Sequence, residues 1–276
     1  MGWEAHEGKQ RSSEPMTVEA ELLARYAAGI AETNRRHADT EHPGFSGPPL
    51  LVANSIIPGT GALLMDLDLG AKLMRIVHGG IELTFARPVL VGDALTCKSR
   101  FLGVDEKRSG ELVNMGFEIK DAAGDDVCSG VTRYFLRGKK KEGEAPAPKP
   151  APPADPGAPT HELTELVAEG QSLLYAEGSG DRFPIHTDKN FAQSVGLPDV
   201  ILHGMCTLAF ATRALVNTVL DGDSSRLKSL EVRFAKMVFH GDALTTRIWV
   251  DGSELSFVTL NQRGERVLEA GRASIA

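Results

Sequence analysis

The chain has 276 residues, of which 42% are hydrophobic and 24% are charged, and this composition excludes a chain that is disordered throughout. The net charge of −7 disfavours nucleic acid as the main partner, because nucleic-acid binders present a basic face. No apolar run approaches the roughly 18 residues that a membrane span needs. Three separated cysteines with no CxxC pair disfavour a disulfide framework and a thiolate zinc site. We therefore expect a cytoplasmic protein that contacts neither nucleic acid nor membrane.

The first fifteen residues, MGWEAHEGKQRSSEP, are polar and contain no apolar segment of the kind found in a secretory signal. We predict a disordered leader over residues 1–15. In the segment that follows, four runs have strand character: 81–90, 94–104, 111–120 and 126–136.

Residues 138–160 read GKKKEGEAPAPKPAPPADPGAPT, a proline-dense segment with clustered lysines and no apolar periodicity. Such a composition is typical of an extended linker that buries nothing. It separates a first half, 16–137, from a second half, 161–276.

The second half begins its regular pattern with a short helix predicted over 188–195 and a longer one over 204–220. The longer segment is apolar nearly all round, which indicates a buried helix. Four strand-like runs follow, separated by turns at Gly241, Gly252 and Gly264: 227–239, 243–251, 254–261 and 265–275. One long helix wrapped by an antiparallel meander is an α+β arrangement.

The two halves are repeats of one another. Residues 82–96, ELTFARPVLVGDALT, and residues 231–245, EVRFAKMVFHGDALT, are identical at nine of fifteen positions at an offset of 149. Ordinary residue usage would give roughly one match. We therefore expect each half to be one copy of the same α+β fold.

The residues with the clearest chemical pattern lie in the second half. Asp181 and His186 stand five positions apart across Pro184, which stiffens the loop. A carboxylate and an imidazole held close together can share a water molecule, one orienting it and the other relaying its proton. Further along, His203 and Gly204 open the buried helix, whose free N–H groups can stabilise the oxygen of an enolate-like transition state. This set suits addition or removal of water beside a carbonyl.

The stretch from 175 to 208 resembles the signature of the MaoC-like, (R)-specific enoyl-CoA hydratases. That signature has a tyrosine, then S-G-D-x-N-P-[IL]-H-x-D, a short helix and P-I-L-H-G-[LM]-C-T. Fifteen positions match it: Tyr175, Ser179, Gly180, Asp181, Pro184, Ile185, His186, Asp188, Ile201, Leu202, His203, Gly204, Met205, Cys206 and Thr207. The later Arg233–Lys236 run also resembles the family's R-F-A-K-P, and the resemblance covers most of 165–276.

The resemblance implies a double hot-dog fold, with a degenerate N-terminal half and a catalytic C-terminal half packed as a pseudo-dimer. It implies that Asp181 and His186 are the catalytic pair and that the Gly204 N–H polarises a thioester carbonyl. Water then adds to a trans-2-enoyl thioester of CoA or an acyl-carrier protein and gives the (3R)-3-hydroxyacyl product. The resemblance implies no metal and no redox cofactor, and a homodimer is compatible with it.

One position departs from the family pattern, because Phe183 stands where the family has an asparagine. An asparagine side chain donates and accepts hydrogen bonds, whereas phenylalanine does neither. We predict that Phe183, His203, Met205 and Lys236 contact the substrate. Local basic residues would have to hold the anionic CoA, and the candidates are Arg182, Lys189, Arg233 and Lys236.

Two other functions remain open at this point. A hot-dog thioesterase also uses a carboxylate and a water, and it would release a free thiol instead of consuming the enoyl double bond. A non-catalytic acyl-CoA-binding homologue is favoured by Phe183 alone, and it would bind without turnover.

Two further patterns are interpreted as non-functional. Glu32 and His37 lie at the repeat positions of Asp181 and His186, but Asn54-Ser55 replaces His203-Gly204, so we predict a relic of a second site. His186 and Asp188 lack an evident third metal ligand, and Asp188 is expected to cap the following helix.

Overall fold

The computed structural model describes residues 3–67, 69–70, 76–138 and 154–276. These ranges contain six α-helices: α1 (Ala20–Gly29), α2 (Arg35–Ala38), α3 (Ala53–Met65), α4 (Gln171–Ser179), α5 (Lys189–Ser194) and α6 (Gly204–Val219). They contain eleven strands: β1 (Gln10–Ser12), β2 (Met16–Thr17), β3 (Ile76–Phe85), β4 (Ala94–Lys107), β5 (Gly110–Lys120), β6 (Asp126–Arg137), β7 (His161–Leu166), β8 (Leu227–Phe234), β9 (Ala243–Asp251), β10 (Glu254–Leu260) and β11 (Arg266–Ile275). No helix within these ranges is both long enough and apolar enough to cross a membrane.

The long helix α6 lies at the centre of the second half. Every residue from Met205 to Val216 is buried, as expected of a helix that is apolar on all faces. The strands that follow bury alternate residues, for example Leu230 and Val232 of β8, and so turn one face toward the helix. The prediction of a long buried helix followed by four antiparallel strands is confirmed for this half, but the predicted four-stranded meander is wrong. Strands β9, β10 and β11 form a meander, whereas the chain crosses the sheet between β8 and β9, so that β8 pairs with β11.

Across the described ranges the strands form one antiparallel sheet in the order β1-β4-β5-β6-β3-β8-β11-β10-β9-β7, with β2 paired to β4. Strands β3–β6 belong to the first half and β8–β11 to the second, and in each half the first strand pairs with the last. The two halves meet where β3 pairs with β8. Each half thus contributes a sheet and a long helix, α3 in the first half and α6 in the second. This is the α+β, double hot-dog architecture that the sequence predicts.

The junction between the halves is an approximate two-fold axis. Strands β3 and β8 are repeat equivalents, and they pair so that Glu82 lies opposite its own equivalent, Glu231. The same symmetry relates α1 and α4, whose glycines Gly29 and Gly178 are also repeat equivalents. A Cβ atom at Gly29 would lie 2.9 Å from the Cα of Tyr175, and one at Gly178 would lie 2.6 Å from the Cα of Tyr26. The helices therefore cross in close contact at two symmetric glycines.

The prediction of a disordered leader over 1–15 is wrong for the described part of that segment. Residues Trp3–His6 form a 3₁₀ helix, and the Trp3 ring stacks on Phe101 with a centroid distance of 6.0 Å. Strand β1 pairs with the edge strand β4. The physical reason is that an edge strand offers unpaired backbone groups, which a polar segment can satisfy from far away in sequence.

The predicted linker over 138–160 falls mostly on residues 139–153, which lie outside the described residues. Its last part packs against the second half. Asp155 binds Arg266 at 2.6 Å, and the indole N–H of Trp249 donates to the carbonyl oxygen of Gly157 at 3.0 Å. Residues 154–160 are therefore part of the folded second half, and β7 follows directly.

Candidate active site

Three predicted side chains meet at one place in the second half. A carboxylate oxygen of Asp181, a ring nitrogen of His186 and a ring nitrogen of His203 all lie within 4.8 Å of one another. Asp181 comes from the loop after α4, His186 ends the short 3₁₀ helix Pro184–His186, and His203 is the N-cap residue of α6. Residues 22 positions apart in sequence are thus brought together by the start of the central helix.

The loop that carries Asp181 and His186 is shaped by its own sequence. Gly180 ends α4 with a φ of 76°, a left-handed conformation that favours glycine. Pro184 occupies the start of the 3₁₀ helix, where its missing N–H has no cost. Asp188 then accepts hydrogen bonds from the N–H groups of Asn190 and Phe191, so the predicted helix cap is confirmed.

His186 is held as a neutral base. Its Nδ1 lies 2.8 Å from the carbonyl oxygen of Ile201. Because a carbonyl can only accept, Nδ1 carries the proton and Nε2 presents a lone pair. Burial lowers the pKa of His186 below its usual range, an effect that the hydrogen bond to Ile201 and the nearby Asp181 oppose in part. The imidazole is therefore uncharged at neutral pH and able to accept a proton.

Asp181 is fixed through its backbone and one carboxylate oxygen. Its N–H donates to Ser179 Oγ at 3.2 Å, and its Oδ1 accepts from the N–H of Phe183 at 3.2 Å. Its carbonyl oxygen accepts a hydrogen bond from His203 Nε2 at 2.8 Å. The residue is half-buried, and within the described ranges no hydrogen bond reaches its Oδ2, so the carboxylate can also accept a hydrogen bond from a water.

His203 is buried beside His186. It is 2% exposed, and its ring stacks on His186 with a centroid distance of 3.8 Å and an interplanar angle of 23°. The Tyr175 ring lies tilted against it at a centroid distance of 4.8 Å. Burial lowers its pKa to about 4. The sequence predicts His203 as a substrate contact, but the structure gives it contacts to the Asp–His pair instead.

Gly204 is the first residue of α6. In the part of the chain that the structure describes, no acceptor pairs with its N–H, which is one of the free donors at a helix start. A Cβ atom here would lie 3.3 Å from Cδ1 of Phe234. A glycine at this position therefore both allows close packing against Phe234 and leaves a backbone N–H available as a donor.

The other predicted contact residues are distributed around this centre. Phe183 is 46% exposed, and its ring meets Phe191 edge-on at 6.3 Å, whereas Met205 is buried in α6. Lys236 is exposed and lies 3.3 Å from Glu265. Each basic residue considered for CoA has a carboxylate partner: Arg182 with Glu177, Lys189 with Asp199, Arg233 with Glu269 and Lys236 with Glu265.

The first half adds residues to this region that sequence analysis missed as site residues. His78 of β3 lies 4.6 Å from the ring of Phe234, which in turn covers Gly204. Its Nε2 is 2.8 Å from Thr132 Oγ1, and its ring stacks on Tyr134 at 5.4 Å. Burial lowers the pKa of His78 to about 4, so it is neutral at pH 7. A signal existed, because Thr132 and Tyr134 alternate on the core-facing side of β6.

Asp181, His186 and His203 offer enough potential ligand atoms for a metal ion, but the free lone pairs of the two imidazoles do not point to one place. Nδ1 of His186 and Nε2 of His203 are taken by carbonyl oxygens. The remaining lone pairs lie in two nearly parallel ring planes stacked 3.8 Å apart, so they do not converge on one ion. The arrangement suits proton transfer to and from a water better than metal binding.

The predicted relic site differs from the pair in the second half. The Glu32 carboxylate accepts from the N–H groups of Thr33 and Asn34 at 2.9 Å, and His37 Nδ1 lies 2.9 Å from the carbonyl oxygen of Ser46. Asn54, at the repeat position of His203, donates to the carbonyl oxygen of Gly178 at 2.8 Å. Both carboxylates accept a hydrogen bond from a backbone N–H two residues further on, so the difference between the two places is the amide of Asn54 in the position of the His203 imidazole. That the first half holds a relic of a site stays a prediction.

Comparisons with known proteins find relatives for both halves of the chain. Residues 150–270 match the model of the MaoC-like domain, and residues 5–129 match that of the FAS1-like dehydratase domain region. The chain is 28% identical over 277 residues to the peroxisomal enoyl-CoA hydratase 2 of Arabidopsis thaliana, covering 92% of this chain and 88% of that protein. It is 34% identical over 179 residues to the 3-hydroxyacyl-thioester dehydratase Y of Mycobacterium tuberculosis, covering 63% and 61% of the two chains.

A solved structure extends the comparison to the fold. The MaoC-like dehydratase from Phytophthora capsici superposes with a TM-score of 0.82 at 24% identity, covering 99% of this chain and 96% of that one. The likeness spans both halves and the sheet that joins them. Because the MaoC-like match and the FAS1-like dehydratase match together cover both repeats, this protein belongs to the MaoC-like dehydratase family.

Proposed function

We propose that this protein catalyses the reversible addition of water to trans-2-enoyl thioesters of CoA, giving (3R)-3-hydroxyacyl thioesters. The observation that carries the proposal is the neutral His186, whose free Nε2 lies in one cluster with the Asp181 carboxylate beside the start of α6. The relatives named enoyl-CoA hydratase and 3-hydroxyacyl-thioester dehydratase support the same reaction in its two directions. The enzyme is then a hydro-lyase.

The geometry suggests how the chemistry proceeds. A water held between the Asp181 carboxylate and His186 Nε2 loses a proton to the imidazole as its oxygen bonds to C3 of the enoyl group. The electrons of the C2–C3 double bond move toward the thioester carbonyl, whose oxygen accepts a hydrogen bond from the Gly204 N–H. The proton then passes to C2 from the same side, so that the elements of water add to one face. Dehydration is the reverse of these steps.

Phe183 does not remove a group that this scheme requires. Its N–H still holds Asp181 Oδ1, and its side chain turns toward Phe191 and solvent. The acyl thioester is the expected partner, with CoA the simplest carrier, and a homodimer remains a prediction. The cytoplasmic location is also a prediction, and the Arabidopsis relative is named as peroxisomal.

The direct test is turnover of a panel of trans-2-enoyl-CoA esters, from short to long and branched, followed by loss of the enoyl absorbance. We expect wild-type protein to consume at least one ester. Asp181→Asn and His186→Ala should each lower kcat by about 10²–10⁴-fold, the usual contribution of a positioned acid or base. Asp199→Asn, which alters an exposed carboxylate paired with Lys189, is the matched control and should keep full activity.

The alternatives give different readouts in the same experiment. Release of free CoA thiol with the enoyl absorbance unchanged would identify a thioesterase and overturn the hydratase proposal. Binding of the esters by folded protein without either signal would favour the non-catalytic acyl-CoA binder that Phe183 makes worth testing.

A further inference from the structure

His203 contacts both members of the Asp–His pair and is itself shielded from ligands. Its Nε2–H donates to the Asp181 carbonyl oxygen at 2.8 Å, and its ring stacks on His186 at 3.8 Å. The Tyr175 ring also contacts it, at a centroid distance of 4.8 Å, and the residue is 2% exposed. One imidazole thus fixes the loop that carries the carboxylate and covers one whole face of the base.

The position of His203 in the chain adds a third link. It is the N-cap residue of α6, so the next N–H along the chain is the free donor of Gly204. Its Nδ1 is buried and has no hydrogen-bond partner among the described residues. Leaving a buried polar atom unpaired is unfavourable, so a ring placed only for packing would be better replaced by an apolar one.

The repeat within the chain offers an internal comparison. Asn54 occupies the same position before α3, and its amide donates across the junction to Gly178 of the other half rather than to its own loop. The first half therefore folds around its long helix without an imidazole here. What distinguishes the second half at this position is the contact with Asp181 and His186.

We propose that His203 is a positioning residue, which holds Asp181 and His186 in the arrangement that activates water and keeps water away from the rear face of the His186 ring. It does not touch the substrate. Asp181 from the loop and Tyr175 from α4 are the other titratable groups that face this pair of imidazoles, and His78 from β3 faces Asp181 from the other half. The proposal rests on the proposed function only for its kinetic test.

Two substitutions separate hydrogen bonding from filling of space. His203→Gln places an amide N–H near the position of Nε2 and can still donate to Asp181, whereas His203→Asn is too short to reach it. We expect the Asn variant to lose about tenfold or more in kcat with KM changed by less than about threefold, and the Gln variant to recover most of that loss. In the Asn variant water reaches the His186 ring, so the acidic limb of the kcat/KM profile should move to higher pH, toward 6.5.

A second measurement does not depend on turnover. The nitrogen chemical shifts of the histidine rings, recorded by NMR against pH, report the tautomer and the titration of His186 directly. We expect the Nδ1–H tautomer with a depressed titration midpoint in wild-type protein and in His203→Gln. In His203→Asn the midpoint should rise, and His240→Gln, which removes a half-buried histidine that contacts Ser172, is the matched control.

The outcomes are distinct. A folded Asn variant with wild-type kcat, pH profile and His186 titration would overturn the positioning role. A raised KM at unchanged kcat would instead make His203 a substrate contact and also overturn it. If wild-type protein turns over no enoyl ester, the hydratase proposal fails, and the NMR comparison still decides whether His203 controls His186.

Discussion

At the scale of single residues, the protonation of His186 determines what the site can do. The ring must be neutral to accept a proton from water, and burial keeps the pKa below the usual 6.5. We therefore predict that kcat/KM is flat from neutral pH downward until the pH falls through this lowered pKa, and then declines by about tenfold per pH unit. A pH profile of wild-type protein on one enoyl-CoA ester measures this. An acidic limb at or above pH 6.5 would contradict the assignment of a buried neutral base.

The buried histidines also make stability depend on pH. His78 and His203 have a pKa of about 4 in the folded protein against 6.5 in an exposed chain, so the unfolded state binds more protons between these values. The free energy of unfolding is therefore highest above pH 6.5 and falls as the pH drops toward 4. Each group should contribute a loss of roughly 2 kcal/mol between pH 8 and pH 5.

Denaturant unfolding at the two pH values checks this expectation. The loss between pH 8 and pH 5 should be smaller in His78→Gln than in wild-type protein, because one buried group no longer titrates. His240→Gln serves as the matched control. If the free energy of unfolding fell equally in wild-type protein and in His78→Gln, the titration of His78 would not be the cause of the pH dependence.

At the scale of elements, the close crossing of α1 and α4 depends on two glycines. Gly178→Ala would bring a methyl group to 2.6 Å from the Cα of Tyr26, and Gly29→Ala would bring one to 2.9 Å from the Cα of Tyr175. We predict that each lowers the free energy of unfolding by about 1–3 kcal/mol, since the helices must move apart. Gly61→Ala is the control, because nothing lies within 4 Å of its Cβ position inside α3.

The control should change stability in the opposite direction. Alanine is favoured over glycine inside a helix by roughly 0.5–1 kcal/mol, so Gly61→Ala is expected to stabilise the protein by about that amount. Chemical denaturation of the three variants measures the difference. Equal free energies of unfolding for Gly178→Ala and Gly61→Ala would contradict the claim that α1 and α4 cross too closely for a side chain at Gly178.

The elements also mark how far the sequence alone can lead. Apolar composition predicts α6, and alternation and turn residues predict the strands after it, most with boundaries close to those observed. The order of the strands is not predictable in this way, because the pairing of β8 with β11 instead of β9 is a long-range contact. Helix α3 escapes such prediction because Ala53–Met65 contains Pro58 and two glycines, so its helical state depends on packing rather than on propensity. Strand β1 escapes because its partner, β4, lies about 90 residues away and local patterns carry no information about edge pairing.

The site was predictable in the same uneven way. Asp181, His186 and Gly204 follow from chemically distinctive residues at short spacing. The inward turn of His203 does not, because an N-cap residue with a φ of −59° can direct its side chain either toward solvent or into the loop, and only the tertiary contacts decide. The alternation in β6 indicates that its Thr132 and Tyr134 face the core, but it does not indicate that His78 lies near this site, because that depends on the pairing of β3 with β8.

At the scale of the whole molecule, the halves share one interior. A single hydrophobic cluster includes Leu23 and Ile81 of the first half and Tyr175 and Leu230 of the second. The buried Arg213 of α6 also donates to the carbonyl oxygens of Ile30 and Ala31 and binds Glu165. Separating the halves would expose core residues of both and would break the buried contacts of Arg213. We therefore expect the two halves to unfold together.

This unity predicts that the covalent connection between the halves is dispensable. Residues 3–138 and 154–276, co-expressed as two chains, should co-purify in a one-to-one complex and unfold in a single thermal transition, because the shared core and the β3–β8 pairing remain. Size-exclusion chromatography and calorimetry test this. Two separate transitions, or a second chain that folds alone as a monomer, would show that the halves are independent.

The pairing of Glu82 with Glu231 has a consequence for how such a chain can change over evolutionary time. In a dimer of identical subunits, any residue on the axis confronts its own copy, so every substitution there is made twice and must tolerate itself. Joining the copies in one chain removes that constraint. Here Arg133 forms an ion pair with Glu82 and so offsets the charge that this carboxylate turns toward Glu231. Because the copies share one chain, such a partner can arise in one half alone. Duplication thus lets one half keep the Asp–His pair while the other varies the residues around it.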